Sequence, residues 1–392
     1  MCFLVFFLLI ISCLTSVYAE DGVGENVQKG LKFAGVPNIS YNSDEGFGYG
    51  ARLSCFQHAE GGYNPYYALI DANLLLTTGG RKEFFIFFDS PYILKSNYRI
   101  TCELKYQKYN YSPYYGIGND TEYHEKLTEK GNRDFIHEQY YLYERIRSTF
   151  WINFQYLFGT FRFLGGVGLA NTDITMYDGK TVLGDDEVLG KNGGITNYVK
   201  FGVIHDTRDF EPAPGKGDWT DVIIEYSNRI LGSDFDYTRI TLTNRYYLTV
   251  FRNVVFAERI VLEKIWGGVP FYEMAFFESS YRIQEGLGGA KSVRGLLLNR
   301  FVGPAKLFGN LELRWRLFDF TIAKQNMYFA WSGFYDFGRV WKENQTITPE
   351  NIHYGYGSGL HIGWNENFII SLDFARSMEV DSALYGGIGY LY

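Results

Sequence analysis

The fold class of this chain is decided by residues 310–317, Asn310-Leu311-Glu312-Leu313-Arg314-Trp315-Arg316-Leu317, along which apolar and polar side chains alternate almost strictly. Successive side chains of a β-strand point to opposite faces, so this segment predicts a strand with one apolar and one polar face. The same two-residue period recurs at 239–243 and 368–374, and it continues from near residue 36 to the last residue. The chain is therefore expected to be all-β.

Composition narrows the choice of β architecture. The 392 residues include 33 Tyr, 33 Phe and 7 Trp, and aromatic side chains favour strands. A net charge of -7 argues against a general nucleic-acid binder, and a mean hydropathy of -0.17 argues against a bundle of membrane helices. A soluble sandwich or propeller would bury the apolar strand faces, whereas an outer-membrane barrel would turn them towards lipid.

The N-terminus indicates export. An apolar run from Phe3 to Leu14 is followed by Val17-Tyr18-Ala19, which predicts a secretory signal peptide, residues 1–19, cleaved after Ala19. Two alternatives stay open, a lipoprotein signal with Cys13 as the lipidated residue and an uncleaved membrane helix. No later stretch approaches eighteen consecutive apolar residues, so a mature protein that enters a membrane must enter it as strands.

Alternating segments separated by Gly, Pro, Asn and Asp clusters predict sixteen strands, an even number, as expected for an antiparallel transmembrane barrel. A short periplasmic segment, 20–35, would precede a barrel domain spanning 36–392. Cys55 and Cys102 would lie three strands apart, roughly 14 Å, which is too far for a disulfide. The predicted strands are 36–42, 46–57, 65–77, 83–93, 98–109, 136–157, 159–173, 195–206, 219–230, 236–249, 253–266, 306–319, 326–341, 353–364, 367–377 and 383–392.

The connectors between these strands predict an orientation. The longest, 110–135, 174–194, 267–305 and 342–352, all follow odd-numbered strands, whereas most connectors after even-numbered strands are short. Long outer loops and short periplasmic turns are typical of outer-membrane barrels, so both termini are expected on the periplasmic side. The connector after strand 8, near 207–218, is unusually long for its side.

Four motifs carry a more specific signal. The longest connector contains Val293-Arg294-Gly295, strand 12 contains Glu312 on its polar face, and strand 13 contains Phe334-Tyr335-Asp336-Phe337-Gly338. The connector after strand 8 begins with His205-Asp206-Thr207-Arg208-Asp209 and continues through Pro212, Pro214 and Gly215. An arginine enclosed in a lumen needs carboxylate partners, since an unpaired buried charge is costly.

Taken in chain order, these four motifs resemble those of the BamA/TamA family of outer-membrane assembly proteins, also called bacterial surface antigens. The resemblance implies that the sixth outer loop inserts into the lumen and that Arg294 pairs there with Asp336 and Glu312. Leu296 replaces the family's usual aromatic residue. The implied site comprises the lumen-loop motif Val293, Arg294 and Gly295 and the barrel-wall partners Glu312, Phe334, Asp336 and Gly338. Separately, the last eight residues, with Tyr385, Gly387, Tyr390 and Tyr392, resemble the C-terminal signal by which the outer-membrane assembly machinery recognises barrel precursors.

The sequence predicts no catalytic residue, metal or cofactor. Its six histidines show no ligand spacing with Cys or acidic residues, and no nucleophile elbow, P-loop or dinucleotide fingerprint occurs. His205 and Asp206 are adjacent on a strand, so their side chains are expected to point to opposite faces rather than to form a dyad.

The resemblance implies assembly, insertion or translocation of proteins, or of lipids, at the bacterial outer membrane. The alternative is a passive channel or structural barrel that has lost the assembly role. The short segment before strand 1 leaves no room for POTRA domains, so a periplasmic partner is expected to supply their function. The other expected partners are outer-membrane lipid and lipopolysaccharide, and the barrel-assembly machinery during biogenesis, but no nucleic acid.

Overall fold

A computed structural model of the protein describes residues 29–43, 45–63, 66–93, 97–211, 213–322, 325–364 and 368–392. Within them, sixteen antiparallel strands close into a barrel, each paired with its neighbours in chain order. The predicted signal peptide, including Cys13, lies outside the described residues, as does Pro212. The strands are β1 Leu31–Asn42, β2 Gly46–Gln57, β3 Ala68–Thr77, β4 Arg81–Ile93, β5 Tyr98–Pro113, β6 Leu142–Phe158, β7 Phe161–Met176, β8 Tyr198–Asp206, β9 Gly217–Ser227, β10 Tyr237–Phe251, β11 Val254–Gly267, β12 Ala305–Ile322, β13 Gln325–Trp341, β14 His353–Trp364, β15 Phe368–Ser377 and β16 Ala383–Ile388.

Little other regular structure accompanies the barrel in the described part of the chain. A short strand, Gly193–Ile195, pairs with β7, and Phe276–Phe277 pairs with Gln284–Glu285. One α-helical turn covers Val182–Asp185, and short 3₁₀ turns cover Glu125–Leu127, Arg229–Leu231 and Phe271–Ala275. Within the described residues, no helix combines the length and the apolar character that a membrane span requires.

The sixteen-stranded antiparallel barrel predicted from alternation is confirmed, and each predicted strand overlaps one observed strand. Four strand ends lie four or more residues from their predicted positions. β5 ends at Pro113 rather than at 109, and β6 begins at Leu142 rather than at 136. β1 begins at Leu31 rather than near residue 36, because Gly35 and Pro37 interrupt the pattern without ending the strand, and proline is tolerated in edge strands. β16 ends at Ile388 rather than Tyr392, because Gly389 has a left-handed φ of 90°.

The alternation sorts side chains between a polar interior and an apolar exterior. On β12, Leu313 and Trp315 are each 48% exposed, whereas Glu312 and Arg314 are 2% and 5% exposed. The same inversion holds around the barrel, since many large apolar side chains are exposed and many arginines and carboxylates are buried. A soluble sandwich has the opposite arrangement, so the exposed apolar surface is the lipid-facing one.

Connector lengths place the long loops together at one end of the barrel. The connectors 114–141, 177–197, 268–304 and 342–352 follow β5, β7, β11 and β13, whereas two-residue turns follow β6 and β10 at the other end. Two ten-residue connectors, 58–67 after β2 and 207–216 after β8, also lie at the short-turn end, and the sequence predicts the second of these exceptions.

The junction between the first and last strands, which we call the seam, is the weakest in the barrel. Its ladder has two residue pairs, Tyr41 with Gly386 and Asn42 with Tyr385. The ladder between β1 and β2 instead runs the full length of β1, from Leu31 to Asn42. Among the described residues, 31–40 of β1 have no ladder partner on that side and form a free edge there.

The lipid-facing assignment of the outer surface is testable by charge insertion. Leu169 lies near the middle of β7 and is 52% exposed, whereas Ile230 lies in a connector and is 94% exposed. Leu169→Arg should lower the free energy of unfolding from vesicles by about 2–4 kcal/mol, the cost of arginine at the bilayer midplane. Ile230→Arg is the matched control and should have little effect in the same denaturant titration; equal effects of the two would contradict the assignment.

Candidate functional site

The connector 268–304, which we call the long connector, brings a charged tip against the inner wall of the barrel. Its tip residue Arg294 is 1% exposed, and Val293 is completely buried. A buried guanidinium requires nearby carboxylates and filled hydrogen-bonding positions to offset the loss of water.

Arg294 meets Asp336 on β13 with two parallel hydrogen bonds, from Nε to Oδ2 at 2.7 Å and from Nη2 to Oδ1 at 3.1 Å. Its backbone N–H also donates to Asp336 Oδ2 at 3.1 Å, and Nη2 donates to Glu312 Oε2 on β12 at 3.3 Å. The guanidinium carbon lies 3.4 Å from the centre of the Phe334 ring. The structure thus brings together Arg294 and three of the four residues predicted from β12 and β13.

Sequence reasoning missed a third carboxylate. Arg294 Nη1 donates to Asp373 Oδ2 on β15 at 2.9 Å, so the guanidinium is bound by three different strands. The alternation over 368–374 places Asp373 on the polar face, which was a usable signal, but its contact with Arg294 depends on the curvature of the closed barrel. Tyr385 on β16 was predicted as part of an assembly signal; its hydroxyl accepts a hydrogen bond from the Gly295 N–H at 3.1 Å.

Close backbone packing explains the small residues of this region. Gly295 has a φ of 91°, and a Cβ there would lie 3.0 Å from the carbonyl of Arg376. Gly338, the last residue of the motif on β13, allows the long connector to approach, because a Cβ there would lie 2.6 Å from Leu287 Cδ1. A side chain at Gly355 on β14 would collide with the carbonyl oxygen of Arg294.

An apolar cluster flanks the charged tip. Val293 and Leu296 pack with Leu287 and Phe301 of the same connector and with wall residues Val261, Phe308 and Val340. Leu296, the residue that replaces the family's aromatic, is 2% exposed. The leucine therefore fills a buried apolar position, and the tip is held by dispersion contacts as well as by charge.

The last residues of the chain turn towards the polar interior. The Arg314 guanidinium carbon lies 4.1 Å from the Tyr390 ring centre and 5.1 Å from that of Tyr392. The Tyr392 hydroxyl lies 2.9 Å from the Ala257 carbonyl oxygen on β11 and 3.1 Å from that of Asn310 on β12. Gly387 remains in β16. The assembly role of Tyr385, Gly387, Tyr390 and Tyr392 stays a prediction.

The connector 207–216 forms a second charged cluster at the short-turn end. Arg208 binds Asp206 through Nε and Nη2 at 2.9 and 2.8 Å. Glu211 Oε1 lies 3.2 Å from Arg99 Nη1 on β5 and 3.3 Å from Arg162 Nη2 on β7. Burial alone would raise the pKa of Glu211, but the guanidinium groups of Arg99, Arg208 and Arg162 lower this pKa to about 2.

A serine, a histidine and an aspartate meet beside the tip but do not form a hydrolytic triad. Ser332 Oγ lies 2.8 Å from His361 Nε2, and Asp373 Oδ1 lies 3.8 Å from the same nitrogen. A triad needs its carboxylate on the opposite ring nitrogen, to orient the imidazole. Among the described residues, no group of three or more His, Cys, Asp and Glu side chains is arranged to hold a metal ion.

The barrel, its polar interior and its bound arginine tip define a bacterial outer-membrane β-barrel protein. The chain belongs to the Omp85 superfamily, because residues 62–383 match the profile of the Omp85 superfamily domain. No curated protein sequence matches it.

Solved structures share the fold at low sequence identity. BamA from Haemophilus ducreyi lacking POTRA domains 1–3 aligns with a TM-score of 0.58 and 13% identity, over 98% of this chain and 78% of that one. CdiB from Escherichia coli aligns with a TM-score of 0.59 and 13% identity, over 94% and 63%. CdiB from Acinetobacter baumannii aligns with a TM-score of 0.54 and 13% identity, over 92% and 60%. The chain thus spans less than two thirds of each CdiB chain.

The ion pairs of Arg294 predict a large stability effect. Arg294→Ala leaves Asp336 buried without its cation and removes one cation from Asp373 and from Glu312, which keeps its pair with Arg314; the loss should cost about 3–5 kcal/mol. The folded barrel should consequently lose heat resistance in a gel-shift assay. Arg316→Ala is the matched control, because Arg316 is 46% exposed in its pair with Asp319 and such pairs contribute about 0–1 kcal/mol. Wild-type heat resistance of Arg294→Ala would contradict the pairing.

Glu211 predicts a pH dependence of stability. The folded-state pKa lies below the ordinary value of 4.5, so ionised Glu211 stabilises the folded state above about pH 4.5, and this contribution is lost as the pH falls towards 2. Glu211→Gln should therefore lower the thermal midpoint at pH 7, and the difference from wild type should shrink below pH 4.5. Glu60→Gln, at an exposed position of another connector, should show no such trend. A difference that is constant with pH would exclude the ion pairs as its cause.

Proposed function

We propose that this protein assembles, inserts or translocates proteins, or lipids, at the outer membrane, without enzymatic chemistry. The observation that carries the proposal is the seam, whose two residue pairs leave most of β1 without a ladder partner on that side in the described part of the chain. Membership of the Omp85 superfamily and the fold shared with BamA and CdiB support it.

The seam supplies a physical mechanism. Backbone N–H and C=O groups on a free edge bind an incoming strand through main-chain hydrogen bonds, independently of its sequence. Parting β1 from β16 breaks far fewer ladder bonds than parting any other pair of barrel strands. A client strand can then pair with β1 while the apolar faces of both strands meet lipid.

The tip of the long connector serves this mechanism as a brace. In the proposed role, Val293, Arg294 and Gly295 bind the wall formed by Glu312, Phe334, Asp336 and Gly338, so that the strands from β12 to β16 keep their relative positions while β1 moves. A periplasmic partner with POTRA-like function would deliver clients, and lipid and lipopolysaccharide would surround the seam. The assembly machinery would act on this chain during its own biogenesis.

A cross-link across the seam tests the proposal. Tyr41→Cys and Gly386→Cys replace a directly paired couple, in a chain whose own free cysteines are replaced by Cys55→Ser and Cys102→Ser. The oxidised protein should lose assembly activity, measured as depletion of proteins or lipids from the outer membrane, and reduction should restore it. The matched control is Phe163→Cys with Val203→Cys, a paired couple on β7 and β8.

Two outcomes would reject the proposed mechanism. Unchanged activity of the cross-linked seam would exclude lateral opening, and an unchanged outer-membrane inventory after depletion of the protein would exclude an assembly role. Large, stable single-channel currents in planar bilayers would instead support the passive channel.

A further inference from the structure

The long connector is also attached to the barrel outside the motif that holds Arg294. Its Glu273 and Glu278 pair with Arg147 on β6 and Lys200 on β8, and Arg282 contacts the strands nearer the seam. Arg282 Nε lies 3.2 Å from Glu103 Oε2 on β5, and Arg282 Nη2 lies 3.6 Å from Asp71 Oδ2 on β3. Its guanidinium carbon also lies 3.9 Å from the ring centre of Phe87 and 4.6 Å from that of Phe85, both on β4. One side chain of the connector therefore contacts three consecutive strands.

Residues next to Arg282 extend this attachment. The Tyr281 ring packs edge-on against Phe87, with ring centres 5.1 Å apart. Glu285 Oε1 accepts a hydrogen bond from the Tyr109 hydroxyl on β5 at 3.1 Å. We call residues 281–285 the front anchor and residues 293–295 the rear anchor of the long connector.

The two anchors lie on opposite sides of the seam. Asp71, a partner of the front anchor, also accepts hydrogen bonds from Arg52 on β2, from Nε at 2.9 Å and from Nη2 at 2.8 Å. The linked contacts therefore extend from the front anchor towards β1. Asn38 on β1 itself donates to Asn73 on β3 at 2.7 Å. The rear anchor contacts the strands on the β16 side of the seam. The Gly295 N–H donates to the Tyr385 hydroxyl on β16, and the Gly295 carbonyl oxygen accepts from the Ser377 hydroxyl on β15.

We infer that Arg282 is a positioning residue that keeps the seam closed, because it ties the β1–β5 flank through the long connector to the β12–β16 flank. The inference rests on the proposed function in that seam opening is the event it controls. A seam with two ladder pairs cannot hold the two flanks together by its own hydrogen bonds as the other strand junctions do, and the connector supplies a second, internal link between them.

The anchors differ in strength, which sets the order of release. The Arg294 side chain is 1% exposed and is bound by three carboxylates at 2.7–3.3 Å. The Arg282 side chain is 24% exposed, and its two carboxylates lie at 3.2 and 3.6 Å. Partly exposed ion pairs are weakened by salt, whereas buried ones are screened much less. The front anchor therefore releases before the rear anchor.

Spin labels on the two seam edges test this inference on the full chain without a client. Tyr41 and Leu384 are exposed, lie on β1 and β16, and can be labelled as cysteines in the Cys55→Ser, Cys102→Ser background. In wild type, dipolar broadening of the EPR spectrum should report a closed seam. Arg282→Ala should remove most of that broadening, and Arg282→Lys, which keeps the charge, should restore part of it.

Matched controls separate a seam effect from general loosening. Labels at Phe163 and Val203, paired on β7 and β8, should keep their broadening in Arg282→Ala. Arg316→Ala, which removes an exposed ion pair, should leave the seam labels unchanged. Raising salt from about 0.1 M to about 1 M, which shortens the Debye length from about 10 Å to about 3 Å, should open the wild-type seam but have no further effect on Arg282→Ala.

The outcomes decide between the inference and its rejection. Unchanged seam broadening in Arg282→Ala overturns it, and so does an equal loss at the β7–β8 control pair. If Arg282→Ala does not fold, Glu103→Gln, which neutralises one partner, decides by the same measurement. The spin-label measurements use no client, so a closed seam in the Arg282 variants would reject only the role of the front anchor. Full activity of the cross-linked seam would instead reject only the proposed function.

Discussion

The charge of Arg294 is the constraint on which the interior of this barrel depends. A guanidinium removed from water is stable only where carboxylates and hydrogen-bond acceptors replace its hydration, and here they come from β12, β13 and β15. Each of these strands must present its carboxylate at one point, so the ion pairs set the relative positions of the strands. The dependence is mutual, since removing either the guanidinium or its carboxylates would leave buried charge uncompensated.

The requirement explains the local composition around the tip. Gly295 accommodates the left-handed turn that follows Arg294, and Gly338 and Gly355 let the connector approach the wall at backbone distance. Val293 and Leu296, on either side of Arg294 and Gly295, are buried in an apolar cluster with the wall. Lower effective dielectric strengthens the ion pairs in turn, so the apolar cluster and the charged cluster stabilise the same geometry.

The barrel is consequently uneven in strength around its circumference. Eleven ladder pairs join β11 to β12, and seventeen join β12 to β13, where the tip is bound, but two join β1 to β16. The long connector contacts both flanks of this weak junction, firmly through Arg294 and less firmly through Arg282. A membrane protein that must open has its lowest barrier where the ladder is shortest, and the connector is placed to modulate that barrier.

The sequence by itself determined the strand count, the strand faces and the side on which the long loops lie, because alternation and turn residues act over a few neighbouring positions. It also indicated Arg294, Asp336 and Glu312, through motifs whose spacing the family resemblance made interpretable. Only the tertiary structure decided that Asp373 is a third partner, that β16 ends at Ile388, and that Arg282 reaches β3 and β5. Those facts depend on which strands face each other across a closed barrel and on how a connector crosses its interior, and such distances are set by curvature and closure rather than by local pattern.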